Sequence, residues 1–323
     1  MASTRPLSEK RVRLTEAEVE EVWRRWRSGQ AIKVLAREMR RHPSTVRELL
    51  KRCGGVRPAP RHRSELRLSL TEREEISRGL AAGSEYVSLG DSFISVGSYL
   101  TTSMNSDCAQ ASDDVGHLVA AQLPGIGFTD LACGGTPANL VEKSADGLSP
   151  ATRYVSLSTG GNKDDFYMGL LQNCFTSGIN CTPEFRQESE AKLDRLGASL
   201  DSAYAAVRAK APNAKVVVLG YLRLLPDRSA GCVIDLTMGQ DIVDFGNRIQ
   251  YRLNDEVGKA AERAGFTMVN KWQDGHNSVC APYGQRHVSI TGIGPGDEAL
   301  AYHPTITGRR HTAALIVDAF LHG

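Results

Sequence analysis

Residues 86–93 read Tyr-Val-Ser-Leu-Gly-Asp-Ser-Phe, and this stretch decides the fold of the larger part of the chain. Its first four residues form a short apolar run, typical of a buried strand that ends at Gly90-Asp91-Ser92. Further strand candidates lie at 128–132, 154–158, 215–221 and 267–272, with helical stretches at 188–211 and 240–264 between them. Strands that alternate with helical crossovers predict a mainly parallel sheet covered by helices on both faces. Polar side chains at the carboxyl ends of such strands are the candidates for function.

Three more polar motifs accompany the predicted strands. Cys133-Gly134-Gly135-Thr136 follows the second strand, Gly160-Gly161-Asn162 follows the third, and Tyr302-His303-Pro304 precedes a C-terminal helix at 312–321. Glycine allows a backbone N–H to approach a bound oxyanion, and an asparagine amide can donate a further hydrogen bond. A serine and a histidine can act as nucleophile and base. Each motif alone is an ordinary turn, but their order along the chain is specific.

In this order, Ser92, Gly135, Asn162 and His303 resemble the four blocks after which the SGNH, or GDSL, hydrolases are named. The resemblance extends over residues 85–323 and includes the extracellular lipases and esterases of actinobacteria. It implies a three-layer α/β/α, flavodoxin-like fold with a mainly parallel sheet. It also implies hydrolysis of a small-molecule or lipid carboxylic ester through an acyl-serine intermediate, without a metal or organic cofactor. Ser92 would be the nucleophile and His303 the base, with Ser92 N–H, Gly135 N–H and the Asn162 amide forming the oxyanion hole.

The chain departs from the family pattern beside the histidine. Leu300 stands where many members have an aspartate, three residues before His303. Lipases of this kind use a Ser–His dyad, which implies that a main-chain carbonyl orients the imidazole. We expect that carbonyl to belong to Leu300, with Asp297 and Glu298 as the next candidates.

Six of the seven cysteines lie after residue 85, and none forms a C-x-x-C motif or a His/Cys cluster of zinc-site spacing. Such a set is typical of an exported, disulfide-bonded domain, although six cysteines allow many pairings. The family resemblance implies Cys108–Cys133, Cys174–Cys181 and Cys232–Cys280. The polar, basic stretch at residues 1–13 is not a secretory signal, so the chain as written is expected to stay in the cytoplasm. The two indications of compartment conflict.

The N-terminal part differs in charge from the rest. Residues 1–83 carry 20 Lys and Arg against 11 Asp and Glu, a net charge of +9, whereas the remainder has a net charge of −7. Apolar spacing predicts three short helices within residues 14–52, the last two joined by a tight turn as in a helix-turn-helix. Residues 31–50 resemble the DNA-binding part of insertion-sequence transposases, although Arg40 stands where such motifs usually have glycine. The resemblance implies DNA binding within residues 1–83, with these contact candidates: Ser44, Thr45, Arg47 and Lys51.

We therefore predict a helix-turn-helix-like module at 1–55, a linker with a truncated second helical repeat at 56–84, and a hydrolase domain at 85–323. The repeat is inferred because Leu70-Thr71-Glu72 echoes Leu14-Thr15-Glu16. The first module could instead be a small structural bundle. The alternative for the whole chain is a DNA-binding regulator, or a transposase-derived fusion, whose hydrolase-like domain senses a ligand. No apolar run approaches the ~20 residues of a membrane span, and the oligomeric state is not predicted.

Overall fold

The computed structural model describes residues 14–52, 85–103, 108–273 and 275–323. The chain divides into two compact units, Met1–Ser69 and Leu70–Gly323. The predicted linker and second repeat at 56–84, together with Cys53, lie outside the described residues.

The first unit contains three helices, α1 (Glu16–Arg27), α2 (Ile32–Glu38) and α3 (Pro43–Arg52). Thr15 and Glu18 form a capping box that begins α1. Arg40, at the predicted glycine position, has a left-handed φ of 52°, so the turn between α2 and α3 has the backbone that a glycine would adopt. The three helices share one small core, formed by Val22, Trp23, Leu35, Ala36, Val46 and Leu50.

The second unit is built on five parallel strands in the order β4-β1-β5-β6-β7. They are β1 (Tyr86–Gly90), β4 (Phe128–Asp130), β5 (Tyr154–Ser158), β6 (Lys215–Leu219) and β7 (Thr267–Val269). Two short antiparallel pairs add β2 (Thr102–Ser103) with β3 (Gln110–Ala111), and β8 (Val288–Ser289) with β9 (His303–Pro304). This order places the second strand on one side of the first and the third on the other, as in flavodoxin-like folds.

Helices cover both faces of this sheet. They are α4 (Ser92–Ser95), α5 (Val115–Ala120), α6 (Ala138–Ser144), α7 (Phe166–Leu170), α8 (Pro183–Asp194), α9 (Leu196–Lys210), α10 (Gln240–Arg263) and α11 (Ile306–His322). The helix predicted at 188–211 is therefore two helices that meet at Arg195. Among the described helices, none is both long and apolar enough to span a bilayer.

Successive side chains of β1 point to opposite faces of the sheet, and each face packs against its own layer of helices. Val87 and Leu89 belong to the large core that includes residues of α9 and α10, whereas Tyr86 belongs to a second core with residues of α5 and α11. The predicted three-layer α/β/α fold with a parallel sheet is thereby confirmed. The structure also contains the three disulfides implied by the family resemblance: Cys108–Cys133, Cys174–Cys181 and Cys232–Cys280.

Candidate active site

Ser92 lies at the carboxyl end of β1, as the first residue of the short helix α4. Gly90 has a φ of 125°, and a Cβ at this position would be 1.9 Å from the carbonyl oxygen of Ser158 on β5. Glycine is therefore required for the close approach of the two backbones. Asp91 caps α4, since its Oδ1 accepts a hydrogen bond of 3.0 Å from the Phe93 N–H. The turn from strand to helix thus fixes where Ser92 lies.

His303 lies directly beside this serine. Its Nε2 is 2.8 Å from Ser92 Oγ, and its Nδ1 is 2.7 Å from the carbonyl oxygen of Ala301. Because a carbonyl can only accept, Nδ1 donates, and Nε2 of the neutral ring is left to accept from the serine hydroxyl. Burial lowers the pKa of His303, although the Ala301 hydrogen bond acts in the opposite direction. The imidazole is therefore neutral, and able to take a proton, at neutral pH.

The prediction that Leu300 orients this histidine is wrong. The Leu300 carbonyl accepts from the backbone N–H of His303 at 3.2 Å. Asp297 is buried and accepts a 2.6 Å hydrogen bond from Ser289 Oγ, and the carbonyl of Glu298 accepts from Arg309. The left-handed φ of 59° at Tyr302 accompanies the turn in which the Ala301 carbonyl, not that of Leu300, lies against Nδ1.

Two residues hold the backbone around His303. Tyr167 donates a 2.6 Å hydrogen bond to the carbonyl of Tyr302, the residue with the unfavourable φ. The fully buried Arg309 donates from Nη1 to the carbonyls of Pro304 and Glu298, both at 2.9 Å. Strained backbone persists only where its surroundings fix it, so these contacts stabilise the position of the imidazole.

The two loops expected to bind an oxyanion follow β4 and β5, the strands on either side of β1. Gly135 follows β4 and has a left-handed φ of 84°, whereas Asn162 follows β5. Asn162 Nδ2 is 3.5 Å from the carbonyl oxygen of Thr136, beyond the usual range of a strong hydrogen bond. The sheet order thus brings together the loops that carry the predicted Gly135 and Asn162, and the Asn162 amide retains donor capacity.

A buried network connects the serine turn to the Asn162 loop. The carboxylate of Asp91 accepts from the hydroxyls of Tyr221 and Ser158, the latter at 3.1 Å. Tyr221 Oη in turn accepts a 2.7 Å hydrogen bond from the N–H of Gly161. Burial raises the pKa of Asp91 to about 6, against the opposing effect of these hydrogen bonds, so the group is ionised at neutral pH. Sequence reasoning did not predict this role for Tyr221, although Asp91 was visible within the Gly-Asp-Ser motif.

A groove of about 480 Å³ lies beside Tyr302, the residue before His303. Its lining includes the apolar residues Phe175 and Met238 and the polar residues Thr237 and Arg286. This volume is within the range of small-molecule binding sites. A smaller apolar cavity lined by Phe93 and Phe175 lies close to the serine turn.

Comparison with known proteins identifies the family of this chain. The model of the "GDSL-like Lipase/Acylhydrolase family" matches residues 88–311. Lipase 2 of Streptomyces coelicolor is 30% identical over 254 residues, which cover 72% of this chain and 85% of the relative. The crystal structure of phospholipase A1 from Streptomyces albidoflavus is 30% identical, with a TM-score of 0.62, and the match covers 74% of this chain and 99% of that one.

A separate, shorter match concerns a transposase. An insertion-sequence transposase of Escherichia coli K12 is 35% identical over 68 residues, which are 21% of this chain and only 18% of the transposase. The other matches cover most of the chain, and the solved structure agrees with the fold. The chain therefore belongs to the GDSL-like lipase/acylhydrolase family and is a serine ester hydrolase.

Proposed function

We propose that Ser92 is the nucleophile and His303 the general base of this hydrolase. The 2.8 Å contact between His303 Nε2 and Ser92 Oγ carries the proposal. As Oγ attacks the ester carbonyl, Nε2 takes the hydroxyl proton, and it returns that proton to the departing alcohol when the acyl-serine forms. Water then attacks the acyl-serine while Nε2 accepts a proton from it, and Nε2 returns this proton to Ser92 Oγ as the bond to the acyl group breaks and the carboxylic acid is released.

The tetrahedral oxyanion is stabilised by the N–H groups of Ser92 and Gly135 and by the Asn162 amide. The left-handed backbone at Gly135 and the weakly engaged Asn162 amide support this assignment. Loss of one such donor typically lowers kcat by ~10²–10³-fold. Removing the Asn162 amide is therefore expected to lower kcat while KM changes little.

The substrate is an ester with an apolar acyl chain. The groove beside Tyr302 contains Phe175, Met238 and Ile290, which would contact a hydrocarbon chain, and Arg286, which would face a polar part of the substrate. Relatives named as a lipase and a phospholipase A1 are consistent with such a substrate. We expect kcat/KM to rise with acyl-chain length until the groove is filled.

The test compares oxidised wild-type protein with Ser92→Ala on chromogenic esters of short and long acyl chains. Ser103→Ala, at an exposed serine on β2, is the matched control. We expect Ser103→Ala to retain wild-type rates and Ser92→Ala to lose nearly all activity with an unchanged unfolding temperature. Hydrolysis by a folded Ser92→Ala protein at the wild-type rate would disprove the assignment.

We further infer that α3 of the first unit binds duplex DNA. Ser44, Arg47 and Lys51 are exposed and follow i, i+3, i+7 spacing, which places them on one helix face. Thr45 is half-buried and belongs to the first turn, because the helix begins at Pro43. The short transposase match supports this inference.

The DNA test uses the full chain and measures its affinity for duplex over a series of salt concentrations. The double variant Arg47→Ala/Lys51→Ala should weaken binding and reduce the steepness of the salt dependence. The control Lys143→Ala/Lys210→Ala removes the same charge from the hydrolase unit. Equal loss in both variants, or no salt-dependent binding by wild type, would contradict DNA recognition by α3.

A further inference from the structure

Three residues that can bind a metal meet away from the Ser–His pair. Asp114 caps the first turn of α5, His117 lies one turn later, and Asp130 is the last residue of β4. One ligand atom from each lies within 4.8 Å of the other two. Asp114 is fully buried, whereas the His117 side chain is 40% exposed. Solvent can therefore reach the cluster beside the His117 imidazole, while the Asp114 carboxylate lies inside the protein.

The hydrogen bonds of this cluster are incomplete. Asp114 Oδ1 accepts from the N–H of His117 at 2.8 Å and lies 2.9 Å from its Nδ1. Asp114 Oδ2 is buried and has no hydrogen-bond partner in the described part of the chain. A buried carboxylate oxygen normally has a partner, so this atom indicates that a positive or donating group binds here.

A second unpaired atom faces the same turn. Ser88 pairs in register with Asp130 across β1 and β4, and its buried Oγ likewise lacks a partner among the described residues. A Cβ on Gly116 would be 2.8 Å from Ser88 Oγ, so this hydroxyl lies against the turn that carries Asp114 and His117. The first turn of α5, which carries Asp114 and His117, is therefore bordered by a second buried polar atom.

Charge favours a cation at this cluster. Asp114 and Asp130 are neighbouring acidic groups, since one carboxylate oxygen of each lies within 4.8 Å of the other. The nearby guanidinium of Arg309 donates instead to Asp113, with Nη2 to Oδ2 at 2.7 Å. Because Asp114 is fully buried and Asp130 is half-buried, a bound cation would stabilise the pair by neutralising part of its charge.

We propose that Asp114, His117 and Asp130 form a binding site for one divalent transition-metal ion, Zn²⁺ in the first instance. One imidazole nitrogen and two carboxylate oxygens suit Zn²⁺, which keeps four ligands and would take water as the fourth. Ca²⁺ prefers six to eight oxygen ligands and fits this set poorly. Sequence spacing did not predict the site because its ligands come from two separate segments.

The site has a structural role. It connects the start of α5 to the end of β4, and β4 pairs with β1, the strand that leads to Ser92. The metal therefore stabilises the edge of the sheet and takes no part in ester hydrolysis. Loss of the ion is expected to lower the unfolding temperature and to leave kcat nearly unchanged at low temperature.

The test uses the full, oxidised chain after removal of metal by a chelator. Zn²⁺ is titrated in calorimetry and in competition with a chromophoric chelator. We expect one Zn²⁺ per chain, with affinity at least 10-fold weaker in His117→Asn and in Asp130→Asn. The matched control is His322→Asn, because His322 forms an exposed pair with Asp318, with Nδ1 and Oδ1 3.0 Å apart, and should bind as wild type does.

Thermal unfolding supplies a second measurement. Saturating Zn²⁺ should raise the unfolding temperature of wild type and His322→Asn but not of His117→Asn, because a ligand stabilises the state that binds it. Near-UV circular dichroism and ester hydrolysis report whether each variant is folded. If Asp130→Asn does not fold, the partly exposed His117→Asn decides the outcome. Wild-type protein that binds no Zn²⁺, or a His117→Asn variant with unchanged affinity, would overturn the proposal.

Discussion

The hydroxyl of Tyr221 connects the two sides of the active site, and Tyr221→Phe removes it with almost no change in volume. In wild type this oxygen accepts from the Gly161 N–H at 2.7 Å and donates to the buried Asp91 carboxylate. The variant leaves one buried donor and one buried acceptor without this partner. Each loss typically costs about 1–3 kcal/mol, so we expect the free energy of unfolding to fall by about 2–6 kcal/mol.

This loss should depend on pH in a defined direction. The pKa of Asp91 in the folded protein, about 6, is above its unfolded value, so the folded state binds the proton more tightly. Stability therefore falls as pH rises from about 4 to about 6 and levels off above the folded pKa. Tyr221→Phe removes a hydrogen bond that lowers this pKa, so the decline extends to higher pH. The destabilisation should consequently be larger at pH 8 than at pH 5.

Activity tests whether Tyr221 acts through the oxyanion loop. Gly161 precedes Asn162, so a displaced Gly161 N–H should move the Asn162 side-chain amide. We therefore expect kcat to fall by about 10-fold. This loss is smaller than the ~10²–10³-fold loss that follows removal of a whole oxyanion donor. A double-mutant cycle with Asn162→Ala measures the coupling. Without the Asn162 amide, Tyr221→Phe should change kcat by less than twofold. A 10-fold loss that persists in the Asn162→Ala background would refute the coupling, as would full activity of Tyr221→Phe at every pH.

Three further outcomes follow from the site and the fold. Because burial lowers the pKa of His303, the acid limb of kcat/KM against pH should have its midpoint below 6.5, and a midpoint above 7 would contradict a neutral, buried imidazole. Replacing both Cys232 and Cys280 by serine removes a disulfide that closes a loop of 48 residues. The free energy of unfolding, measured by chemical denaturation, should fall by about 4 kcal/mol, and a loss below about 1 kcal/mol would contradict a stabilising role of this disulfide. Gly90→Ala places a Cβ 1.9 Å from the Ser158 carbonyl oxygen, so it should displace the serine turn and lower kcat on a short-chain ester more than 10-fold. An unchanged kcat would show that the turn can relax.

The sequence predicted the fold because its main determinants are local. The apolar runs at 86–89 and 154–158 are short and bounded by polar turns, and both became central strands of the sheet. The predicted ends of β6 and β7 were too late, at Tyr221 and Trp272 rather than Leu219 and Val269. Periodicity does not define where a strand stops pairing, because that depends on the neighbouring strand.

The parts of the site that the sequence did not predict depend on distant contacts. Tyr221 is 130 residues from Asp91, and Arg309 is 196 residues from Asp113, so no spacing rule relates them. The Ala301 carbonyl is close in sequence to His303 but carries no side-chain signal. Its role depends on the left-handed turn at Tyr302, a bulky residue that rarely adopts this φ.

His303 is oriented by an uncharged group, the Ala301 carbonyl, and this affects how the transition state is stabilised. In a Ser–His–Asp triad the carboxylate stabilises the imidazolium that forms during attack, in addition to orienting the ring. Here Nδ1 donates to the Ala301 carbonyl, which orients the ring but carries no charge. The buried charge of this site belongs instead to Asp91, which acts through Tyr221 on the loop of Asn162. We therefore expect a larger share of transition-state stabilisation to come from the proposed oxyanion donors, and the double-mutant cycle between Tyr221 and Asn162 tests this expectation.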